Sequence, residues 1–315
     1  MVSENLTLTR ANAPKYNEQY ITVGFIQTGK ESDWRDANTN DFLNTFTKES
    51  GFNLIYIDGN SDSDRQRKAM NDLIRQKVDY IILDPIVEDG WEETLERAKE
   101  NHIPVIISDR QVKADPSLYT CWVGSDFYSE GINAVIWLEE YLEQAGRKDD
   151  PLKIVILEGT KGASAAIGRT MGLQKKIQEH PNWQVVAQEC GNFTQGEGKT
   201  VMEKILAEHD DFDVLISEND NMMFGAMLAM DQNEVSYGVG GKVITISFDA
   251  LHEAFEKMIE GDLMASIECN PLIASAARKV IQQLEMREPV DEIHYIEESV
   301  FSYENAAEYM EERKY

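Results

Sequence analysis

From residue 20 onward the chain alternates between short apolar runs, rich in Val and Ile, and longer segments of helical period. The runs fall at 21–26, 53–57, 79–83, 104–108, 119–123, 153–157, 184–188, 213–217, 243–247, 264–268 and 293–301. A strand apolar on both sides of its pleat must be covered on both faces, so this alternation predicts parallel sheets sandwiched by helices. The segment 65–76 shows the helical half of the pattern, with Met70, Leu73 and Ile74 three and four residues apart. A closed (β/α)₈ barrel takes eight such units. Ten or eleven divide better into two sheets of about five or six strands each. The expected class is therefore α/β, with two doubly wound parallel-sheet lobes. A length of 315 residues suits two domains, and 42% hydrophobic residues can fill two cores.

Charge and cysteine narrow the function. The formal net charge of −27 repels phosphate backbones and argues against a nucleic-acid partner. The acidity is spread along the chain, which reads mainly as solubility. No apolar run is long enough to span a bilayer. Cys121, Cys190 and Cys269 are far apart, odd in number and without a C-x-x-C spacing, so neither a disulfide framework nor zinc is expected. Residues 1–19 are polar and aperiodic and read as a flexible leader. No secretory signal is visible, so an exported chain would have lost its targeting segment before this sequence begins.

In doubly wound sheets, ligands bind beyond the carboxyl ends of the strands. Those ends carry Gln27, Glu31, Trp34 and Arg35; Asp84 and later Trp91; Asp109 and Arg110; Arg169; Phe193; Glu218 and Asn219; Asp249; and Cys269. Carboxylates accept from two hydroxyls, arginine donates to two oxygens in a fixed fork, and asparagine does one of each. An aromatic ring covers an apolar C–H face. Together they suit a polyhydroxylated ring. The five histidines lie mostly in or near helices, so no Ser-His-Asp arrangement is expected, and no cofactor fingerprint appears.

Several motifs have plainer readings. Asp58, Asn60, Asp62 and Asp64 occupy the odd positions of a calcium loop, but Ser63 and Ala69 stand where Gly and Glu are needed. An acidic loop capping the next helix is expected instead. Gly159, Gly162 and Ser164 lack the Lys-Ser/Thr ending of a phosphate loop and read as a tight turn. The glycines of 238–241 read as a turn. Trp34 alone could be core, Asp109-Arg110 a surface ion pair, and Trp91 part of its own lobe. Their joint placement at strand ends is what favours a binding site.

These residues resemble the ribose- and galactofuranose-type periplasmic sugar-binding proteins that serve ABC transporters. The resemblance runs from about residue 20 to Tyr315 and rests on GFIQTGKESDWR, DPIVEDGWEETLERAKENHIPVIISDR, LEGTKGASAAIGR, GNFTQGEGK, END-x-M and ISFDA. It implies a type I periplasmic-binding-protein fold, with lobes of 20–124 plus 270–296 and 125–269 plus 297–315. The hinges would be 123–126, 269–271 and the segment near Ile296. It implies a monomeric, extracytoplasmic or lipid-anchored protein without cofactor or metal, which passes a monosaccharide to a transporter permease. Its pocket would comprise Gln27, Glu31, Trp34, Arg35, Asp109, Arg110, Arg169, Phe193, Asn219 and Asp249. The spacing of ES-x-WR (31–35), GWE (90–92) and the Asp109-Arg110 dipeptide is closest to the galactofuranose branch, so a furanose is favoured, with fructose or another hexose or pentose as the alternative. Asp84 stands where that branch has a small apolar residue, Glu218 where it has His, and Cys269 where ribose members have Gln.

Rival readings are weaker. A sugar-responsive repressor needs a DNA-binding headpiece, and only about 20 polar residues precede the first strand. A ligand-presenting subunit for a chemoreceptor or sensor kinase would share every feature above.

Overall fold

The computed structural model describes residues 20–209 and 211–315. The leader expected over residues 1–19 lies outside the described residues. The described residues form two six-stranded sheets. The first contains β1 (Ile21–Gln27), β2 (Phe52–Asp58), β3 (Tyr80–Leu83), β4 (Val105–Ser108), β5 (Cys121–Gly124) and β11 (Ile293–Tyr295), in the order β11-β5-β4-β3-β1-β2. The second contains β6 (Leu152–Glu158), β7 (Trp183–Cys190), β8 (Val214–Ser217), β9 (Ile244–Asp249), β10 (Ala265–Glu268) and β12 (Val300–Ser302), in the order β12-β10-β9-β8-β6-β7. All pairings are parallel except that of β12 with β10.

Alternation along each strand builds a core on each face. Val23 and Phe25 of β1, with Ile82 and Ile106, pack under Phe42 of α1 (Asp33–Thr45) and Ala277 and Ile281 of α9 (Ala274–Met286). Ile26, Ile81, Leu83 and Ile107 face the other way, onto Met70 and Leu73 of α2 (Ser63–Gln76) and Leu95 of α3 (Glu92–Glu100). In the second sheet, Ile154, Ile156 and Ile216 meet α4 (Phe127–Gln144) and α5 (Ser164–Ile177). Val155, Leu157 and Leu215 meet α6 (Gln195–Glu208), α7 (Asp220–Gln232) and α8 (His252–Glu260). Among the described residues, no helix is long and apolar enough to cross a membrane.

One expectation is corrected. The run 293–301 is not one strand but two, β11 and β12, in different sheets. The Ile296 amide still bonds to Gly124 of the first sheet, whereas Phe301 is registered against Ser266 of the second. The residues between are the crossing. Two of the plainer readings, those of the acidic loop and of the glycine turn, hold. Asp62 caps α2, accepting from the Asp64 and Arg65 amides, and Gly162 has a φ of 84° in the turn before α5.

Candidate functional site

A cleft lies between the carboxyl ends of the two sheets. Its lining is Glu31, Ser32, Trp34, Arg35, Asp109, Arg110, Phe127, Ala165, Arg169, Phe193, Asn219, Asp249 and Cys269.

On the first lobe, Ser32 caps α1 by accepting from the Arg35 amide, so Trp34 and Arg35 sit in its opening turn. The Trp34 indole N–H donates to the Cys269 carbonyl at 2.6 Å. The Arg35 guanidinium lies 4.6 Å from the centre of that indole and reaches Asp109 at 2.7 Å, Glu31 at 3.2 Å and Asp84 at 3.3 Å. Burial lowers its pKa, but these three carboxylates more than offset that, so Arg35 stays charged. Arg110 pairs with Glu31 and lies 5.0 Å from the centre of the Phe193 ring. Its Nε is buried without a hydrogen-bond partner, a donor available to a ligand hydroxyl. Burial raises the Glu31 carboxyl, yet Arg110 and Arg35 outweigh it and hold that pKa below its ordinary value.

On the second lobe, Arg169 is fixed on three sides. Its Nε donates to Glu130 at 2.6 Å, Nη2 donates to Asp249 at 3.3 Å, and Nη1 donates to the Glu218 carbonyl. The rings of Phe127 and Phe248 lie 5.4 and 4.9 Å from its guanidinium carbon. Asn219 caps α7 and donates to the Phe193 carbonyl at 3.0 Å. Burial pushes the Asp249 carboxyl well above the usual range, against the attraction of Arg169 and with the help of Asp220.

The cleft therefore brings together Glu31, Trp34, Arg35, Asp109, Arg110, Arg169, Phe193, Asn219, Asp249 and Cys269. Four other strand-end residues stand behind it. Gln27 is fully buried and donates to Asn38 and Thr39 of α1. Asp84 supports Arg35, and burial pushes its carboxyl up to about 8 despite that cation. Trp91 packs in the core of its own lobe and donates to the Val87 carbonyl. Glu218 accepts from the Gly159 amide and from Thr170, and burial pushes it up to about 8.

Sequence reasoning passed over Ser32, Phe127, Ala165 and Glu130. Phe127 is the first residue of the helix after β5, where a strand-end search could have stopped. Glu130 lies inside that helix, and nothing in its local sequence marks it as the partner of Arg169, 39 positions away.

The lobes meet directly as well as across the cleft. Asn221 donates to Asp33 at 2.6 Å, the Glu88 amide to the Gly162 carbonyl at 2.9 Å, and the Gln111 amide to Ser164 at 2.6 Å. This is a closed arrangement.

Known proteins share the fold. The galactofuranose-binding protein YtfQ of Escherichia coli (strain K12) is 35% identical over 267 residues, 84% of this chain and 81% of its own. A Mycobacterium smegmatis protein, crystallised in complex with β-D-fucofuranose, is 34% identical and superposes with a TM-score of 0.87 over 92% of this chain and 94% of its own. The periplasmic binding component of the arabinose ABC transporter of Shewanella sp. ANA-3, bound to α- and β-L-arabinofuranose, is 33% identical with a TM-score of 0.86 over 93% and 95%. The periplasmic binding protein domain matches residues 23–285. With two doubly wound sheets, a cleft at their carboxyl ends and this match over most of its length, the chain belongs to the periplasmic binding protein family and has its type I fold.

Proposed function

We propose that this chain captures one monosaccharide, in a furanose form, between its lobes and delivers it to the permease of an ABC importer. It acts outside the cytoplasm, as a monomer, and returns the sugar chemically unchanged. The moving bodies are residues 20–124 with 270–296 and residues 125–269 with 297–315. The observation that carries the reading is the Trp34–Arg35 pair. The indole is pinned by the Cys269 carbonyl, and the guanidinium beside it faces the same cleft. An indole with the Arg35 guanidinium over its ring, 4.6 Å from the centre, offers an apolar surface and a donor side by side, which suits a five-membered ring whose exocyclic chain projects to one side. Three relatives whose names or bound ligands are furanoses agree with it.

The test is calorimetry with D-galactose, L-arabinose and D-fructose, followed by a crystal structure grown from the mutarotated sugar that binds. We expect a furanose ring against Trp34, affinity nearly independent of salt because the ligand is neutral, and recovery of the same sugar by NMR. A pyranose with Trp34 turned away would remove the ring preference. A hydrolysed, oxidised or phosphorylated product would remove the binding-only role.

A further inference from the structure

Four crossovers follow one another along the first sheet, and the last lacks a helix. α1, α2 and α3 join β1 to β2, β2 to β3 and β3 to β4, whereas β4 reaches β5 through a loop with one three-residue 3₁₀ turn, Pro116–Leu118. Parallel strands need cover on both faces. A loop covers less than a helix does, and a cavity of about 130 Å³ remains between this loop and the strands. Its strand side is a row in register: Ile107 of β4 opposes Trp122 of β5, and Trp122 opposes Ile293 of β11. The loop side includes Val112, Tyr119 and Thr120, and Glu292 adjoins the end of the row. None of these residues lines the cleft. Trp122 stands between the two sites, because its indole N–H donates to the carbonyl of the cleft residue Asp109 at 2.8 Å.

The chemistry of the cavity is unlike that of the cleft. Ile107, Val112 and Trp122 are buried and apolar. Thr120 Oγ1 is buried without a hydrogen-bond partner, a cost that a polar atom of an occupant relieves. Glu292 is exposed at the rim and is the one carboxylate of the lining, to which no Lys, Arg or His belongs. Lys113 of the loop, and Lys99, which donates to Ser117, lie outside the lining. Burial raises the Tyr119 phenol above its ordinary pKa and the Glu292 charge raises it further, which places that carboxylate near the ring. Apolar walls, two aromatic rings and an acidic rim select a cation with an apolar body. An apolar cavity of ~150 Å³ accepts a benzene ring, so the space suits a single ring. A sugar would leave hydroxyls unpaired against Ile107 and Val112. Water serves Thr120 but finds no partners along the row of Ile107 and Ile293.

We propose that this cavity is a second ligand site, separate from the cleft, for a small aromatic amine: its ring packs against Ile107 and Trp122, a polar atom meets the Thr120 hydroxyl, and its ammonium lies beside Glu292.

Tyramine, which carries a ring, a hydroxyl and an ammonium, is the probe. It is titrated into ¹⁵N-labelled protein without sugar, in about 0.2 M salt to screen the overall charge. We expect saturable NMR shifts centred on Gln111, Thr120 and Trp122, with a Kd on the order of 1 mM or below. Glu292→Gln keeps the shape of the rim without its charge and should weaken tyramine about threefold, the modest effect of an exposed charge. 3-(4-Hydroxyphenyl)propionate, which puts a carboxylate in place of the ammonium, turns that attraction into repulsion and should bind about tenfold more weakly than tyramine. Shifts centred on Trp34 and Arg169 would place the amine in the cleft and overturn the proposal. So would the absence of saturable shifts up to about 10 mM tyramine, equal affinity for the two probes, or full affinity for tyramine in Glu292→Gln. No sugar enters the experiment, so its outcome is independent of the function proposed above.

Discussion

Asp109, Phe193 and Asp249 line the cleft with φ of 57°, 60° and 104°, a backbone region that side chains with a Cβ seldom occupy. Each such residue costs about 1–3 kcal/mol and persists only where its surroundings over-determine it. The surroundings here are specific. The Asp109 amide donates to Val123, while its carbonyl accepts from the Trp122 indole. After Asp249, the Ala250 amide donates to Ser266 and the Leu251 amide to Asp220. Phe193 fits because Gly159 has no side chain; a Cβ there would lie 1.9 Å from the ring. Held this way, the three side chains line the cleft in positions set by their own backbone. Arg110, whose Nε makes no hydrogen bond within the protein and lies 4.0 Å from Asp109, should be the most costly donor to lose. Arg110→Ala should weaken sugar binding by roughly 2–4 kcal/mol, and Arg110→Lys should recover little of it, because an ammonium lacks the fork. Calorimetric affinities within threefold of wild type for Arg110→Ala would remove it from the site. Glu218 gives a pH test of the scaffold. Its folded pKa is about 8, above its ordinary value of 4.5, so its contribution to stability is complete below about 4.5 and is lost as pH rises to about 8. Glu218→Gln escapes that loss. The melting temperature of the variant should gain on wild type between about pH 5 and pH 9, and parallel pH profiles would contradict the assignment.

At the scale of elements, the placement of Arg169 depends on how closely two helices approach. A Cβ on Gly131 of α4 would lie 2.3 Å from the Arg169 carbonyl oxygen, and one on Gly172 of α5 would lie 2.2 Å from the Tyr128 carbonyl oxygen. Backbone meets backbone there, so neither helix can yield by turning a side chain. That contact lays Arg169 against Glu130 and Phe127. Gly172→Ala should therefore cost about 1–3 kcal/mol by overpacking and should weaken sugar binding through Arg169. Gly196→Ala, on α6 with open space around it, should instead stabilise by about 0.5–1 kcal/mol through helix propensity alone. Urea unfolding of the two variants decides the matter, and equal effects would show that the helix contact is not tight.

For the whole molecule, the closed arrangement has contacts that do not involve a ligand, chief among them Asn221 with Asp33. Such contacts set the open–closed balance, which a sugar shifts by its differential affinity for the two states. Scattering should show a smaller radius of gyration once sugar is added. Asn221→Ala should raise the sugar concentration needed for that change by several-fold, about 1 kcal/mol, because one hydrogen bond of the closed form is gone. An identical titration in the variant would mean that closure does not use this contact.

The sequence by itself determined the two sheets and most of the cleft. Apolar β-branched runs alternating with helical period leave few ways to bury both faces of each strand, and a doubly wound sheet presents its strand ends to the ligand. Reading strand ends therefore found Trp34, Arg35, Asp109, Arg110, Arg169 and Asp249 without coordinates. Only the tertiary structure decided which strand-end residues face inward. Trp91 and Glu218 look equally suited in sequence, but the first turns into its own core and the second binds the Gly159 amide. It also decided the division of 293–301 between two sheets, because a continuous apolar pattern does not record where a chain changes partner. The pairing of Glu130 with Arg169, and of Glu298 with Ser125 and Asn270, lay wholly outside local sequence. Those partners meet because helices and crossings from distant parts of the chain pack against one another, and period and propensity act only over near neighbours.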